Sequence, residues 1–160
     1  MMIPIRFRLV LMSFLAVFIC YIDRVNISVA IIPMQEQFGW SEAETGIIFS
    51  IFYIGYVLTM ILGGVLADKY GGKTVLGAGV LLWSIFTMLT PFFAYNGFLA
   101  LLFIRVLIGL GEGITFPSWH SLYARWIPFN ERARSIAVTN SGISAGTIFG
   151  YVATALIIAS

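Results

Sequence analysis

GGVLADKYGGK, residues 63–73, is a short polar reversal set between two long apolar runs, residues 46–67 and 74–94. Each run is about as long as the roughly 20 apolar residues that cross a bilayer core of about 30 Å as a helix. Working outward from the reversal, three more runs of the same kind fall at about 9–33, 98–122 and 136–159. The composition agrees: 60% of the residues are hydrophobic and 10% charged, against roughly 25% charged in a water-soluble domain. Such a chain lacks the polar surface to face water on every side. Only helices and closed barrels satisfy every backbone group inside hydrocarbon, and runs this long predict an all-α integral membrane protein with five spans. Arg6 and Arg8 precede the first run as they would in a signal peptide. That run is too long for a signal core, however, and four more follow, so it reads as a retained span.

Orientation follows from Lys and Arg. Arg6, Arg8, Lys69, Lys73, Arg125, Arg132 and Arg134 all fall on one side if the chain weaves through five times. The opposite connections, 34–45 and 95–97, hold no Lys or Arg. The N-terminus is therefore expected in the cytoplasm and Ser160 outside. A net charge of +2 with no basic cluster gives no reason to expect a nucleic-acid partner. The lone cysteine, Cys20, has no disulfide mate and reads as an inert buried thiol. His120 reads as a helix-end residue, Trp40, Trp119 and Trp126 as interface anchors, and Pro117 as a kink in span four. Gly109 and Gly113, and Gly142, Gly146 and Gly150, repeat every four residues and predict faces where helix backbones approach closely.

Four ionisable residues lie inside spans: Asp23, Arg24, Arg105 and Glu112. A charge at mid-helix costs about 2.5–3.5 kcal/mol even on the lenient insertion scale. From helix rise, Arg24 and Arg105 each lie roughly 12–13 Å from the outer end of their span. Glu112 follows Arg105 by seven residues, so it shares that face two turns deeper. Two buried structural ion pairs are one reading, although such pairs are often no better than apolar replacements. The other is an aqueous cavity in which a guanidinium grips an anion and a carboxylate of raised proton affinity takes up a coupling proton. An enzyme would need a nucleophile–base pair, a metal cluster or a phosphate loop, and the sequence offers no such pattern.

The order G-x-L-A-D-K-x-G-G-K at the second cytoplasmic connection resembles the loop motif of the major facilitator superfamily. YIDRVNISVAIIPM (21–34) and RVLIGLGEGITFP (105–117) narrow the resemblance to its anion:cation symporters, the sialin, organic-anion, phosphate and sugar-acid carriers. The resemblance implies the N-terminal five transmembrane helices of a 12-helix fold, with the sixth helix and the C-terminal half missing from the chain. It implies that Arg24 binds the anion together with Tyr21, Tyr56 and Arg105, and that Asp23 and Glu112 carry proton coupling. Gly64, Asp68, Lys69, Gly71 and Lys73 would form a conformational latch, with Glu131, Arg132 and Arg134 as its matching elements. Ile143 and Phe49 depart from positions that are polar in some sugar-acid carriers and histidine in vesicular glutamate carriers.

The function expected is secondary active transport of a small organic anion, a sugar acid, sialate or carboxylate, coupled to protons by alternating access. Inorganic phosphate as substrate, sodium as coupling ion, or a non-transporting membrane interaction protein for the fragment alone remain as alternatives. No cofactor is expected beyond the coupling ion. The partners would be the anion, the bilayer and the missing half of the same carrier. Short loops and a compact N-terminus point to a bacterial or archaeal inner membrane.

Overall fold

The computed structural model describes residues 5–159, so Ser160, expected on the outer side, lies outside the described residues. Among these, six α-helices follow one another: α1 Ile5–Phe38, α2 Glu42–Tyr70, α3 Gly72–Tyr95, α4 Phe98–Gly113, α5 Thr115–Trp126 and α6 Phe129–Ala159. Five stretches are long and apolar enough to cross a membrane, and α4 with α5 counts as one of them. Met88 (82% exposed), Leu99 (78%) and Ile61 (70%) stand open on the helix surfaces. Exposed apolar side chains in such number suit a lipid solvent and not water.

The helices outrun the apolar stretches that announce them. α1 continues past Pro33 through Gln35, Glu36 and Gln37, since good helix formers carry a helix beyond its hydrocarbon-spanning length. It stops at Gly39, whose φ of +68° is the left-handed conformation that ends helices. The Trp40 N–H closes that turn on the Gln35 carbonyl at 3.2 Å. Ser41 then starts α2 with a capping box: its hydroxyl accepts from the Glu44 N–H, and the Glu44 carboxylate accepts from the Ser41 N–H at 2.8 Å. A single residue, Gly71 at φ +88°, reverses the chain between α2 and α3.

Span four is not one helix. It breaks at Ile114, where Pro117 has no N–H to offer the Gly113 carbonyl one turn earlier and its ring crowds that carbonyl. The disturbance therefore falls upstream of the proline itself.

The described residues form two compact units. In one, α1 and α6 run parallel. Gly142 seats against Phe14, Gly146 against Phe18 and Gly150 against Ile22, and Thr154 donates to Asn26, 128 residues away, at 3.4 Å. All four contacts share one register, as a parallel pair with a small-residue seam requires. In the other unit, Ser41–Arg125, α4 lies against both α2 and α3. Gly55 meets the Val106 carbonyl, Gly109 the Phe52 carbonyl and Gly113 the Tyr56 carbonyl, so α2 and α4 touch backbone to backbone. On the other flank Gly111 meets Trp83 and Gly79 meets Ile114. The expected packing faces on spans four and five are present, each against a named partner.

Candidate functional site

α4 is packed against both α2 and α3, and on this enclosed helix the sequence places two charges. Arg105 is 6% exposed and Glu112 1% exposed. Between them, Gly109 draws α2 close enough for the Phe52 ring to lie under the guanidinium, 5.4 Å from Arg105 Cζ to the ring centroid. A cation over an aromatic face gains about 0.5–2 kcal/mol, more as water is excluded. Tyr56, one turn further along α2, stacks on Phe52 at 5.9 Å and is half-buried. Arg105, Phe52 and Tyr56 thus share the α2–α4 seam, with Glu112 deeper on α4.

In the α1–α6 unit, Tyr21, Asp23 and Arg24 are all half-buried. The Arg24 guanidinium folds back along its own helix: Cζ lies 5.0 Å from the Tyr21 ring centroid, and Nη2 donates to Cys20 Sγ at 3.9 Å. Cys20 is fully buried, as read from the sequence, yet it has this polar neighbour. The segment bearing these residues is the one clamped by Gly150 and Thr154.

At the reversal, Asp68 is held by α5. Its Oδ1 accepts from the Ser121 hydroxyl at 2.8 Å and lies 3.6 Å from Arg125 Nη2, which also donates to the Asp68 carbonyl at 2.9 Å. Ser121 and Arg125 are one turn apart and present one face. Among the motif glycines, Gly63 makes the close approach and not Gly64. A Cβ on Gly63 would stand 2.9 Å from Pro117 Cγ, whereas one on Gly64 would be in ordinary contact at 3.9 Å from Pro117 Cβ. Gly71 makes the turn, Lys69 lies 5.1 Å from the Tyr70 ring, and Lys73 is exposed. In the other unit, Glu131 is gripped by Arg6 Nη1 at 2.9 and 3.1 Å. Arg132 donates to the Ile127 carbonyl at 3.4 Å, and Arg134 is exposed.

Sequence reasoning counted Arg6 and Arg125 only as topology charges and missed Ser121 and Phe52. The spacing of Ser121 and Arg125 on one face of a helix end was the available signal. Trp119 is corrected: it is fully buried, 3.7 Å from the His120 ring and 5.1 Å from Tyr123, a core residue and not an interface anchor.

An all-helical, multi-pass membrane protein with buried charges on an inner helix is the class these features define. Residues 13–160 match the Major Facilitator Superfamily, and the chain belongs to it. It is 46% identical over 155 residues to the rice (Oryza sativa subsp. japonica) "Probable anion transporter 4, chloroplastic", covering 97% of this chain and 26% of that protein. To the Arabidopsis thaliana "Ascorbate transporter, chloroplastic" it is 44% identical, covering 97% and 29%. To the "Sodium-dependent phosphate transport protein 1, chloroplastic" of the same plant it is 46% identical, covering 92% and 29%. The chain thus spans under a third of the length of these relatives. A crystal structure of a bacterial homolog of the human lysosomal transporter Spinster, inward-facing and occupied, superposes with a TM-score of 0.83 at 27% identity, covering 94% of this chain and 32% of that one. The bacterial or archaeal inner membrane expected from the short loops finds no support in these three plant relatives, each named as chloroplastic.

Proposed function

We propose that this chain is part of a secondary active carrier that moves a small organic anion together with protons by alternating access. The observation that carries the reading is Glu112: a carboxylate 1% exposed on an inner membrane helix, two turns from a buried arginine. A submerged ionisable group of this kind is by default a functional one. Carboxylates submerged in membrane helices serve as proton relays in pumps and transporters, which is the role proposed for this one. Arg24, with Tyr21 at its side, offers an anion a planar fork of donors. Within the other unit, Arg105 and Tyr56 are proposed as anion-binding groups too, and Asp23 would orient Arg24 or share its proton traffic. Asp68 with Ser121 and Arg125, and Glu131 with Arg6, would hold the cytoplasmic helix ends in one of two transport states.

Organic-anion specificity draws support from the relative named for ascorbate. Sodium-coupled phosphate transport is the second reading, favoured by the relative named for it. The relatives' names also favour a plastid membrane over a bacterial one. Uptake of labelled ascorbate, a hexuronate and phosphate into proteoliposomes, driven by a proton or a sodium gradient, separates these readings. Organic-anion uptake driven by the proton gradient and lost in Arg24→Gln is the expected result. If the carrier takes up none of these anions under either gradient, the proposal is wrong.

A further inference from the structure

The structure assigns a proton exit route to α5: a ladder of hydroxyls from Glu112 through Thr115 and Ser118 to Ser121 and Asp68. This rests on the reading of Glu112 as the proton carrier and names how its proton leaves.

Three observations meet within one unit. Thr115 and Ser118 are fully buried, and neither hydroxyl oxygen has a hydrogen-bond partner among the described residues. A serine or threonine inside a helix ordinarily bonds the carbonyl one turn back, as Ser50 does to Gly46 at 2.8 Å and Thr90 to Phe86 at 3.0 Å. These two do not, and a buried polar group left unmatched costs about 1–3 kcal/mol. The indoles of Trp83 and Trp119 are likewise buried with Nε1 unmatched among the described residues. Secondly, the ladder starts where α4 breaks, so the Gly113 carbonyl, deprived of its donor by Pro117, adds an acceptor between Glu112 and Thr115. Thirdly, its lower end is already bonded: Ser121 donates to Asp68 at 2.8 Å, and Asp68 is exposed.

Thr115, Ser118 and Ser121 recur every three residues, about 4.5 Å of rise per step. That is too far for direct hydroxyl contact and suits one bridging water per gap, the usual partner of unmatched buried polar groups. In the step itself Glu112 gives its proton to the first water and becomes a carboxylate. Each hydroxyl accepts one proton as it passes on another, and Asp68 hands the last to bulk water. Protons and charge balance, and no other reactant enters.

The test uses the complete carrier in proteoliposomes, with Thr115→Val and Ser118→Ala, which remove the hydroxyls at nearly constant volume. Net uptake driven by a proton gradient should fall by about tenfold or more for each variant, tenfold being the lower end of the rate equivalent of a lost hydrogen bond to a charged species. Anion counterflow, in which the carrier returns loaded and need not release its proton, should stay near wild type. Thr115→Ser and Ser118→Thr should restore net uptake, because they restore the hydroxyl. Unchanged net uptake in the first pair, with pH-gradient uptake abolished in Glu112→Gln, would overturn the route and leave the Glu112 reading standing. Counterflow falling in parallel, without rescue by the hydroxyl-bearing variants, would also overturn it. pH-gradient uptake surviving in Glu112→Gln would remove both.

Discussion

Replacing Gly109 by alanine should destabilise the protein, whereas the same change at Gly77 should not. A Cβ on Gly109 would collide with the Phe52 carbonyl oxygen and stand 3.0 Å from the Tyr56 nitrogen and 3.2 Å from the Phe52 carbonyl carbon. All three are backbone atoms of α2, so no rotamer change relieves the contact and the helices must separate. Overpacking of this kind costs about 1–3 kcal/mol. Separation also withdraws the Phe52 ring from Arg105, now at 5.4 Å, losing about a further 0.5–1 kcal/mol. Helix propensity works the other way, since alanine gains up to about 1 kcal/mol over glycine in a helix. The net loss expected for Gly109→Ala is about 1–3 kcal/mol by these terms. Gly77 has nothing within 4 Å of its would-be Cβ and keeps only the propensity gain. Thermal unfolding in detergent, followed by intrinsic fluorescence, should show Gly109→Ala melting several degrees below wild type and Gly77→Ala at or above it. If both variants melt with the wild type, the backbone-to-backbone α2–α4 seam does not exist in the membrane protein.

Three other outcomes follow from the same structure. Asp68→Asn keeps an acceptor for Ser121 but loses the charge facing Arg125 at 3.6 Å; stability should change by under about 1 kcal/mol because the pair is exposed, while the transport rate falls, as initial uptake rates would show. The Arg6–Glu131 bridge, 2.9 Å long with both side chains about two-fifths exposed, should give a coupling energy of about 0.2–1 kcal/mol in a double-mutant cycle of unfolding free energies, fading in high salt. A coupling above that range, or one indifferent to salt, would show the pair to be desolvated. Cys20, fully buried, should resist maleimide in the folded protein and react on denaturation; equal labelling rates in the two states would contradict its burial.

Much of the fold was legible because hydropathy is a one-dimensional signal. Five long apolar runs need nothing but length and composition to be read as spans. The glycine stripes were legible too, since period four maps onto one helix face. The break at Ile114 was not, because the sequence marks Pro117 while the backbone yields one turn earlier. Trp119 misled for a similar reason: tryptophan near a span end is usually amphipathic, and only packing shows that this one faces inward. At the candidate site, the four ionisable residues announced themselves by being charged where charge is costly. Thr115 and Ser118 did not, because a hydroxyl in a helix is unremarkable until it is found without the carbonyl it would ordinarily bond. The partners of Asp68 were hidden for want of distance information. Sequence similarity pointed to the acids and bases after span four, whereas Ser121 and Arg125 lie before that helix ends.

Proton movement during anion uptake tests the central claim most directly. With a pH-sensitive dye trapped in proteoliposomes holding the complete carrier, adding the anion outside should acidify the lumen. The Glu112→Gln variant should show no acidification while still exchanging labelled for unlabelled anion. Acidification of wild-type size in Glu112→Gln would mean that the buried carboxylate on α4 is structural, and the account of coupling would fail.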